Sequence, residues 1–225
     1  MLTRDSISSG AYFNQFSQLP ADLLWSPERI ARSLHHTIVR RRQGAVWLFA
    51  YGSLIWNPLL RVSEKRRATL PGWHRSFCLR AVAGRGSIAA PGRMLSLEAD
   101  GETSGVALLL DAATLDEELR ILWSREMLTG AYVPTWARVQ LEDGRETWAI
   151  VFVSNSDHPL YEPDARVSTV APLIGAASGP LGSNADYVFL LDRALSELSL
   201  ADPYVRQIAA QLATNSIKDS RASKR

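Results

Sequence analysis

Short apolar runs rich in β-branched and aromatic residues alternate with turn residues between Ala45 and Val153, and this pattern predicts strands. Asp100-Gly101 and Asp143-Gly144 each separate two of these runs, and Asp-Gly is a preferred hairpin dipeptide. At least four strands should therefore pair antiparallel, so we expect an antiparallel sheet or barrel at the centre of the chain, not a Rossmann fold. The strands are predicted near residues 46–51, 73–80, 93–99, 104–110, 132–141 and 145–153.

Helical signals flank this region. Ser26-Pro27-Glu28 combines an N-cap, a first-turn proline and a first-turn acid, which predicts a helix through about Arg41. Two more helices are expected to begin near Asn184 and Asp202, after a Gly/Ser/Pro-rich segment at 171–183 that is predicted to be irregular.

One helix interrupts the strands. It is predicted to begin at Thr114-Leu-Asp-Glu117, which has the spacing of a capping box. Together these elements divide the chain into four predicted parts: a leader and helical arm at 1–44, a central domain at 45–183, two C-terminal helices packed on it at 184–214, and a disordered tail at 215–225.

The composition indicates a globular protein. Of 225 residues, 46% are hydrophobic and 21% charged, which excludes a disordered or collagen-like chain. The basic residues are scattered apart from Arg40-Arg41-Arg42 at a helix end, so a nucleic-acid partner is not expected. The start of the chain lacks a secretory pattern and no apolar run approaches about 20 residues, which predicts a cytoplasmic protein without membrane contact. One cysteine and four histidines leave little for a metal site.

Glu126 is the first candidate for chemistry. It continues, at spacings of four, three and four residues, the apolar stripe that begins at Leu115. Burial and the negative end of the helix dipole would both raise the pKa of its carboxyl, as a general base requires. An ion pair with Arg125 or Arg138, or an outward orientation, explains the position equally well.

The second candidate is the run VWLFAYGSLIWNP, in which an apolar strand leads directly into Gly52-Ser53. Glycine lets a ligand approach the main chain, and consecutive amides there could form an oxyanion nest. Local composition alone favours an ordinary strand end with aromatic packing. A nucleophilic Ser53 is not supported, because the surroundings lack Gly-x-Ser-x-Gly and a committed histidine.

Three further side chains could join such a site. Arg80 and Arg93 end and begin predicted strands, where a guanidinium could fork a carboxylate, although each alone also fits a sheet edge. Tyr132 could place its hydroxyl beside Glu126, although a packed aromatic is the ordinary expectation. Cys78 is expected to be a buried, inert thiol.

An ordered series of motifs is more specific than any one of these features. The series is VWLFAYGSLIWNP, GWHRSFCLR, AGRG, PGRMLSL, GVA, LWSREMLTGAYVPTW, HPLYEPD and APLIGAASGPLGSNADY. From about Leu24 to Leu200 the chain resembles the glutathione-specific γ-glutamylcyclotransferases of the ChaC type, in their bacterial form. The resemblance implies an α+β fold, a small antiparallel β-barrel-like sheet with flanking helices and with N- and C-terminal helical extensions.

The resemblance also implies an activity. It implies a lyase that needs no metal or other cofactor, cyclises glutathione to 5-oxoproline and releases Cys-Gly. Glu126 corresponds to the catalytic acid/base, and the loop that holds the γ-glutamyl group corresponds to Phe49, Ala50, Tyr51, Gly52, Ser53 and Leu54. Family members usually have glycine where this chain has Ala50. Alanine would strain the backbone there only if φ is positive. We expect alanine to be tolerated at this position.

Two alternatives stay open from the sequence. One is a cyclotransferase for another γ-glutamyl amino acid or amine. The other is a non-catalytic protein that binds γ-glutamyl ligands, against which a carboxylate on an apolar stripe argues. The sequence predicts no oligomeric state.

Overall fold

The computed structural model describes residues 2–41 and 44–222. Its centre is a closed five-stranded barrel in the order β1-β3-β2-β4-β5, in which every pair is antiparallel except the parallel pair β1 and β5. The predicted antiparallel, barrel-like sheet is confirmed. The strands are β1 Trp47–Ala50, β2 Val62–Ala81, β3 Gly92–Leu110, β4 Tyr132–Leu141 and β5 Glu146–Ser154.

Helices surround the barrel, and four of them begin where the sequence predicts, near residues 27, 115, 184 and 203. The helices are α1 Arg4–Ser8, α2 Ala11–Asn14, a 3₁₀ helix at Ala21–Leu23, α3 Pro27–Ile38, α4 Leu115–Glu126, α5 Val167–Ala176, α6 Asn184–Glu197 and α7 Pro203–Ala222. A small hairpin, β6 Ser178–Gly179 and β7 Gly182–Ser183, precedes α6. Within the described ranges, no helix combines the length and apolar character needed to cross a membrane.

The predicted hairpin at Asp100-Gly101 is wrong. Both residues have positive φ, 74° and 90°, but they form an irregularity opposite Gly72 while β2 and β3 stay paired on either side. Residues 93–99 and 104–110 therefore belong to one bent strand. β2 likewise begins at Val62 and not at residue 73. The sequence pattern does not reveal its first half, because exposed and partly buried residues alternate there and no apolar run is present. The Asp143-Gly144 hairpin is confirmed between β4 and β5.

The predicted capping box of α4 is also wrong, although the helix begins as expected. The Thr114 side chain makes no cap hydrogen bond. The Glu117 carboxylate instead accepts a hydrogen bond of 2.6 Å from Arg4, on the N-terminal helix α1. A partner distant in sequence has displaced the local pairing.

Residues 171–176 are helical, against the prediction of an irregular segment at 171–183. α5 contains Pro172, but Val170, Ala171 and Ile174 are fully buried. Tertiary burial therefore outweighs the weak local helix propensity of a proline- and glycine-containing segment.

The two ends of the chain are more ordered than expected. Ile7, Tyr12 and Leu19 of the predicted leader are buried. α7 is helical to Ala222, so the predicted disordered tail is wrong for residues 215–222. Residues 223–225 and Arg42 of the basic cluster lie outside the described residues, and the proposed domain boundaries stay a prediction.

Strand β1 is buried on both faces, and its packing fixes the position of the loop after it. Phe49 packs in the cluster shared with α5, α6 and α7, whereas Leu48 and Ala50 pack in the cluster shared with α4. The chain therefore leaves β1 between these two apolar clusters, close to the end of α4.

Candidate active site

Glu126 is the last residue of α4. One turn earlier, Leu122 and Trp123 are fully buried against the barrel and fix the helix. The Glu126 side chain is 16% exposed, so its carboxylate is largely desolvated but still reachable. The predicted inward orientation and helix-end position are both present.

A single guanidinium connects this carboxylate to the loop after β1. Arg125, whose side chain is 6% exposed, lies with its Nε 2.9 Å from Glu126 Oε1. Its Nη2 donates to Ser53 Oγ at 2.7 Å, and its Nη1 donates to the carbonyls of Asn57 and Pro58. The ion pair considered as an alternative at Glu126 therefore exists, and it joins the two candidate regions.

The carboxyl of Glu126 has opposing influences on its pKa. Burial raises the pKa because the charged form loses solvation, and the charge and hydrogen bond of Arg125 lower it by less. The net direction is upward, which brings this acid nearer to the range where a carboxylate both accepts and returns a proton.

The loop after β1 is a compact turn. Ile55 N donates to Gly52 O and Asn57 N to Ser53 O, each at 2.9 Å. The N–H groups at the start of such a turn precede its own hydrogen bonds, as at a helix N-terminus. Ala50 ends β1 and has no positive φ, so alanine there causes no backbone strain.

The charge of Glu126 reaches Tyr51, Tyr132 and Tyr187, of which Tyr51 and Tyr187 are buried and Tyr132 is partly buried. Tyr51 donates to Phe152 O at 2.6 Å and Tyr132 to Leu95 O at 2.9 Å, so both hydroxyls are anchored on the barrel. Burial first, and the charge of Glu126 among further causes, raise the pKa of Tyr51 and Tyr132 well above the usual value.

The third tyrosine, Tyr187, was missed by the sequence reasoning. A Cβ on Gly52 would lie 2.8 Å from its hydroxyl, and the backbone of Ser53 also lowers the pKa of this hydroxyl. Burial raises the pKa of Tyr187 to about 12. Tyr187 lies on the apolar face of α6, and periodicity alone predicts only packing for it.

The other predicted site residues have different surroundings. Phe49 and Ala50 are fully buried in the barrel wall, and Leu54 packs in the cluster shared with α4, so all three side chains belong to the core. Their part in substrate binding stays a prediction. Arg80 and Arg93 face Glu162, at 3.8 and 3.9 Å, and no hydrogen bond or ion pair among the described residues joins either of them to Glu126.

The structure also shows the surroundings of the single cysteine and of the possible metal ligands. Cys78 is buried, and desolvation raises the pKa of its thiol to about 12, which is the environment of an unreactive cysteine. Over residues 2–41 and 44–222, no group of three or more His, Cys, Asp or Glu side chains could hold a metal ion.

A groove of about 670 Å³ lies beside this centre, between α3 and β4. Its lining includes Trp25, Met127 and Tyr132 but neither Glu126 nor Gly52 and Ser53. The candidate centre is therefore defined by its converging side chains, not by this groove.

Known proteins match both the sequence and this fold. The family model for ChaC-like proteins matches residues 46–215. A glutathione-specific γ-glutamylcyclotransferase of Escherichia coli K12 is 50% identical over 203 residues, which are 90% of this chain and 88% of that protein. A glutathione-specific γ-glutamylcyclotransferase 1 of Danio rerio is 31% identical over 76% of this chain and 90% of its own length.

Among solved structures, a yeast γ-glutamyl cyclotransferase specific to glutathione superposes with a TM-score of 0.70 at 20% identity. The match covers 76% of this chain and 97% of that chain, and it shows the shared fold. With a family model matched over most of its length and a relative at 50% identity, the chain belongs to the ChaC-like family.

Proposed function

We propose that this protein is a glutathione-specific γ-glutamylcyclotransferase, which converts glutathione to 5-oxoproline and Cys-Gly. The names of its relatives support the reaction and the substrate. The observation that carries the proposal is the largely buried carboxylate of Glu126, connected through Arg125 to the turn at Ser53. In this proposal the carboxylate is the proton acceptor and the loop supplies backbone donors next to it.

In the proposed mechanism, Glu126 takes a proton from the α-ammonium group of the substrate. The freed amine attacks the γ-carbonyl carbon of the same molecule and closes a five-membered ring. Glu126 then returns its proton to the departing nitrogen of Cys-Gly as the carbon–nitrogen bond breaks. The ring nitrogen gives up its second proton to the Cys-Gly amine, so the products are the neutral lactam 5-oxoproline and Cys-Gly with an α-ammonium group. Both reacting groups belong to one molecule, so the site accelerates the reaction by holding a folded, near-attack conformation.

The turn and the tyrosines would supply that positioning. The amides of Gly52 and Ser53 would bind the γ-glutamyl group and stabilise the oxyanion on the attacked carbon. Bound substrate would take over the Ser53 amide that now faces Tyr187. Tyr51 and Tyr132, fixed on backbone carbonyls, would form the wall beside Glu126.

Arg80 and Arg93 stay in the proposal as partners for the substrate carboxylates. Arg93 Nε is buried and makes no hydrogen bond within the described structure, and both guanidinium groups lie further from Glu162 than a hydrogen bond reaches. A carboxylate would therefore satisfy donors that the protein leaves free. A cytoplasmic location and independence of any cofactor stay predictions.

Mass spectrometry of purified protein incubated with glutathione tests the reaction directly. We expect 5-oxoproline and Cys-Gly to appear together in equal amounts. Faster release of 5-oxoproline from γ-glutamyl-alanine than from glutathione would mean that another γ-glutamyl compound is the preferred substrate. Saturable binding of glutathione without products would mean that the protein binds this ligand but does not catalyse the reaction.

A further inference from the structure

The N-terminal segment, residues 2–25, lies before the residues matched by the family model but touches the end of the catalytic helix. Trp25 N donates to Leu128 O at 2.9 Å, and Tyr12 OH donates to Arg125 O at 3.5 Å. The Trp25 ring covers Gly130 so closely that a Cβ there would lie 2.1 Å from it. This segment is therefore packed against the stretch that carries Glu126.

The same segment reaches the other half of the site. The exit segment, Asn57–Arg61, comes directly after the turn that begins at Gly52 and Ser53, here called the substrate loop. It contains Leu59 with φ of +57°, a left-handed conformation that is unfavourable for an L-residue. Such a conformation persists when its surroundings hold it. Arg4 Nη1 donates to Leu59 O at 2.9 Å, and Asn57 Nδ2 donates to Leu2 O at 3.3 Å.

A buried carboxylate completes these contacts. Glu118 is 0% exposed, and its Oε2 accepts from Arg4 Nη1 at 2.6 Å and from Arg61 N at 3.0 Å. Its Oε1 has no hydrogen-bond partner within the described structure. A carboxylate desolvated to this degree needs its cation, so the loss of Arg4 would release the end of the exit segment.

Local sequence fixes Arg4 in place. Thr3 and Ser6 form a reciprocal capping box, in which each side chain accepts from the backbone N–H of the other at 3.1 Å. Arg4 therefore begins α1 on a capped turn, from which its guanidinium also reaches Glu117 at 2.6 Å.

Movement of the exit segment would disturb both the substrate loop and the position of Glu126. Asn57 N donates to Ser53 O within the substrate turn. The carbonyl of Asn57 accepts from Arg125, which in turn holds Ser53 Oγ and Glu126. The exit segment is thus one hydrogen bond away from the substrate loop and two contacts away from the carboxylate.

We propose that Arg4 is a positioning residue for catalysis, which with Glu118 clamps the exit segment and so holds the substrate loop against Glu126. The inference rests on the proposed function and adds that the N-terminal segment is part of the working site. Arg4 itself touches no reacting atom.

The test compares Arg4→Gln with Glu117→Gln in the full-length chain, by steady-state kinetics on glutathione. Arg4→Gln removes the contacts with Glu118 and Leu59, and we expect KM to rise about tenfold while kcat falls by a smaller factor. Glu117→Gln weakens only the contact of this guanidinium with Glu117, whose side chain is 56% exposed. Because an exposed ion pair contributes little, this variant should change KM and kcat less than twofold. A purely structural loss would lower apparent kcat by reducing the folded fraction and leave KM unchanged.

Arg4→Lys gives a second readout. One ammonium can reach Glu118 but cannot fork to Leu59 as well, so we expect KM between those of wild type and Arg4→Gln. Equal kinetic constants for Arg4→Gln and Glu117→Gln would overturn the clamp. If Arg4→Gln does not fold, folded Arg4→Lys decides: a raised KM supports the clamp and a wild-type KM overturns it. Wild-type protein that releases no 5-oxoproline would instead overturn the proposed function itself.

Discussion

Helix α4 carries two inward-facing carboxylates eight residues apart, each beside an arginine, and their surroundings differ. Glu118 is completely buried and accepts hydrogen bonds from Arg4 and from the backbone of Arg61. Glu126 is partly exposed and lies against Arg125, whose remaining donors hold the substrate loop. Burial on an apolar stripe therefore does not itself make a catalytic acid. A reactive carboxylate also needs access, which Glu118 lacks although its Oε1 has no hydrogen-bond partner within the described structure.

The largest expected effect separates these two carboxylates. Glu126→Gln keeps the shape and the hydrogen bond to Arg125 but cannot accept a proton, so kcat should fall by about a thousandfold or more, at the upper range of general acid–base catalysis. Glu118→Gln should cost at most about tenfold in activity, through a looser exit segment. The larger effect of Glu118→Gln should be on the free energy of unfolding, which should fall by about 1–3 kcal/mol because the variant loses a charge-assisted buried hydrogen bond.

Kinetic assays and urea unfolding of both variants measure these outcomes. Far-ultraviolet circular dichroism of Glu126→Gln serves as the control for folding. Near-normal turnover by Glu126→Gln would remove Glu126 from the mechanism. A larger loss of turnover in Glu118→Gln than in Glu126→Gln would reverse the roles of the two carboxylates.

A smaller effect concerns the arginine beside Glu126. The charge of Arg125 lowers the pKa of this carboxyl, so Arg125→Gln should raise that pKa further. Because a general base acts in its ionised form, the rising acid limb of the pH profile of kcat/KM should move to higher pH.

Arg125→Lys is the matched control for this shift. It keeps the positive charge, so its acid limb should stay near that of wild type, while activity still falls about tenfold because Ser53 and the two loop carbonyls lose a forked donor. Identical limbs for the Gln and Lys variants would show that the charge of Arg125 does not tune Glu126.

The contrast between the two carboxylates also shows how much the sequence could predict. The spacing of the α4 stripe predicts an inward Glu126 because it depends on local periodicity. The strand leading into Gly52 predicts only an ordinary strand end, and the substrate-binding role of the loop after it comes from the family resemblance. Arg4 next to Glu118, and Tyr187 over Gly52, join residues more than 100 positions apart, which no local pattern contains. The same limit explains the failed capping box, where Glu117 binds Arg4 and not its own helix.

The irregularity at Asp100-Gly101 shows the converse limit. The dipeptide has the positive φ values that the sequence predicts, yet the chain continues as one strand because β2 bends with it at Gly72. Local conformation was predictable there, whereas its use in the fold depended on the partner strand.

The smallest effect is on stability, and its sign comes from the raised pKa of Glu126. The folded protein gives up this proton at higher pH than the unfolded chain does. Below the ordinary carboxyl range both states are protonated and the group has no effect. As pH rises through the ordinary pKa and then the folded one, wild type loses stability that Glu126→Gln retains. The variant should therefore gain stability over wild type at pH 8 relative to pH 4. Urea unfolding of both proteins at pH 4, 6 and 8 measures this difference, with the exposed Glu117→Gln as the reference. If the difference in unfolding free energy between Glu126→Gln and wild type stays constant with pH, folding does not raise the pKa of Glu126. Glu126 would then differ from Glu118 only in its access to solvent and substrate.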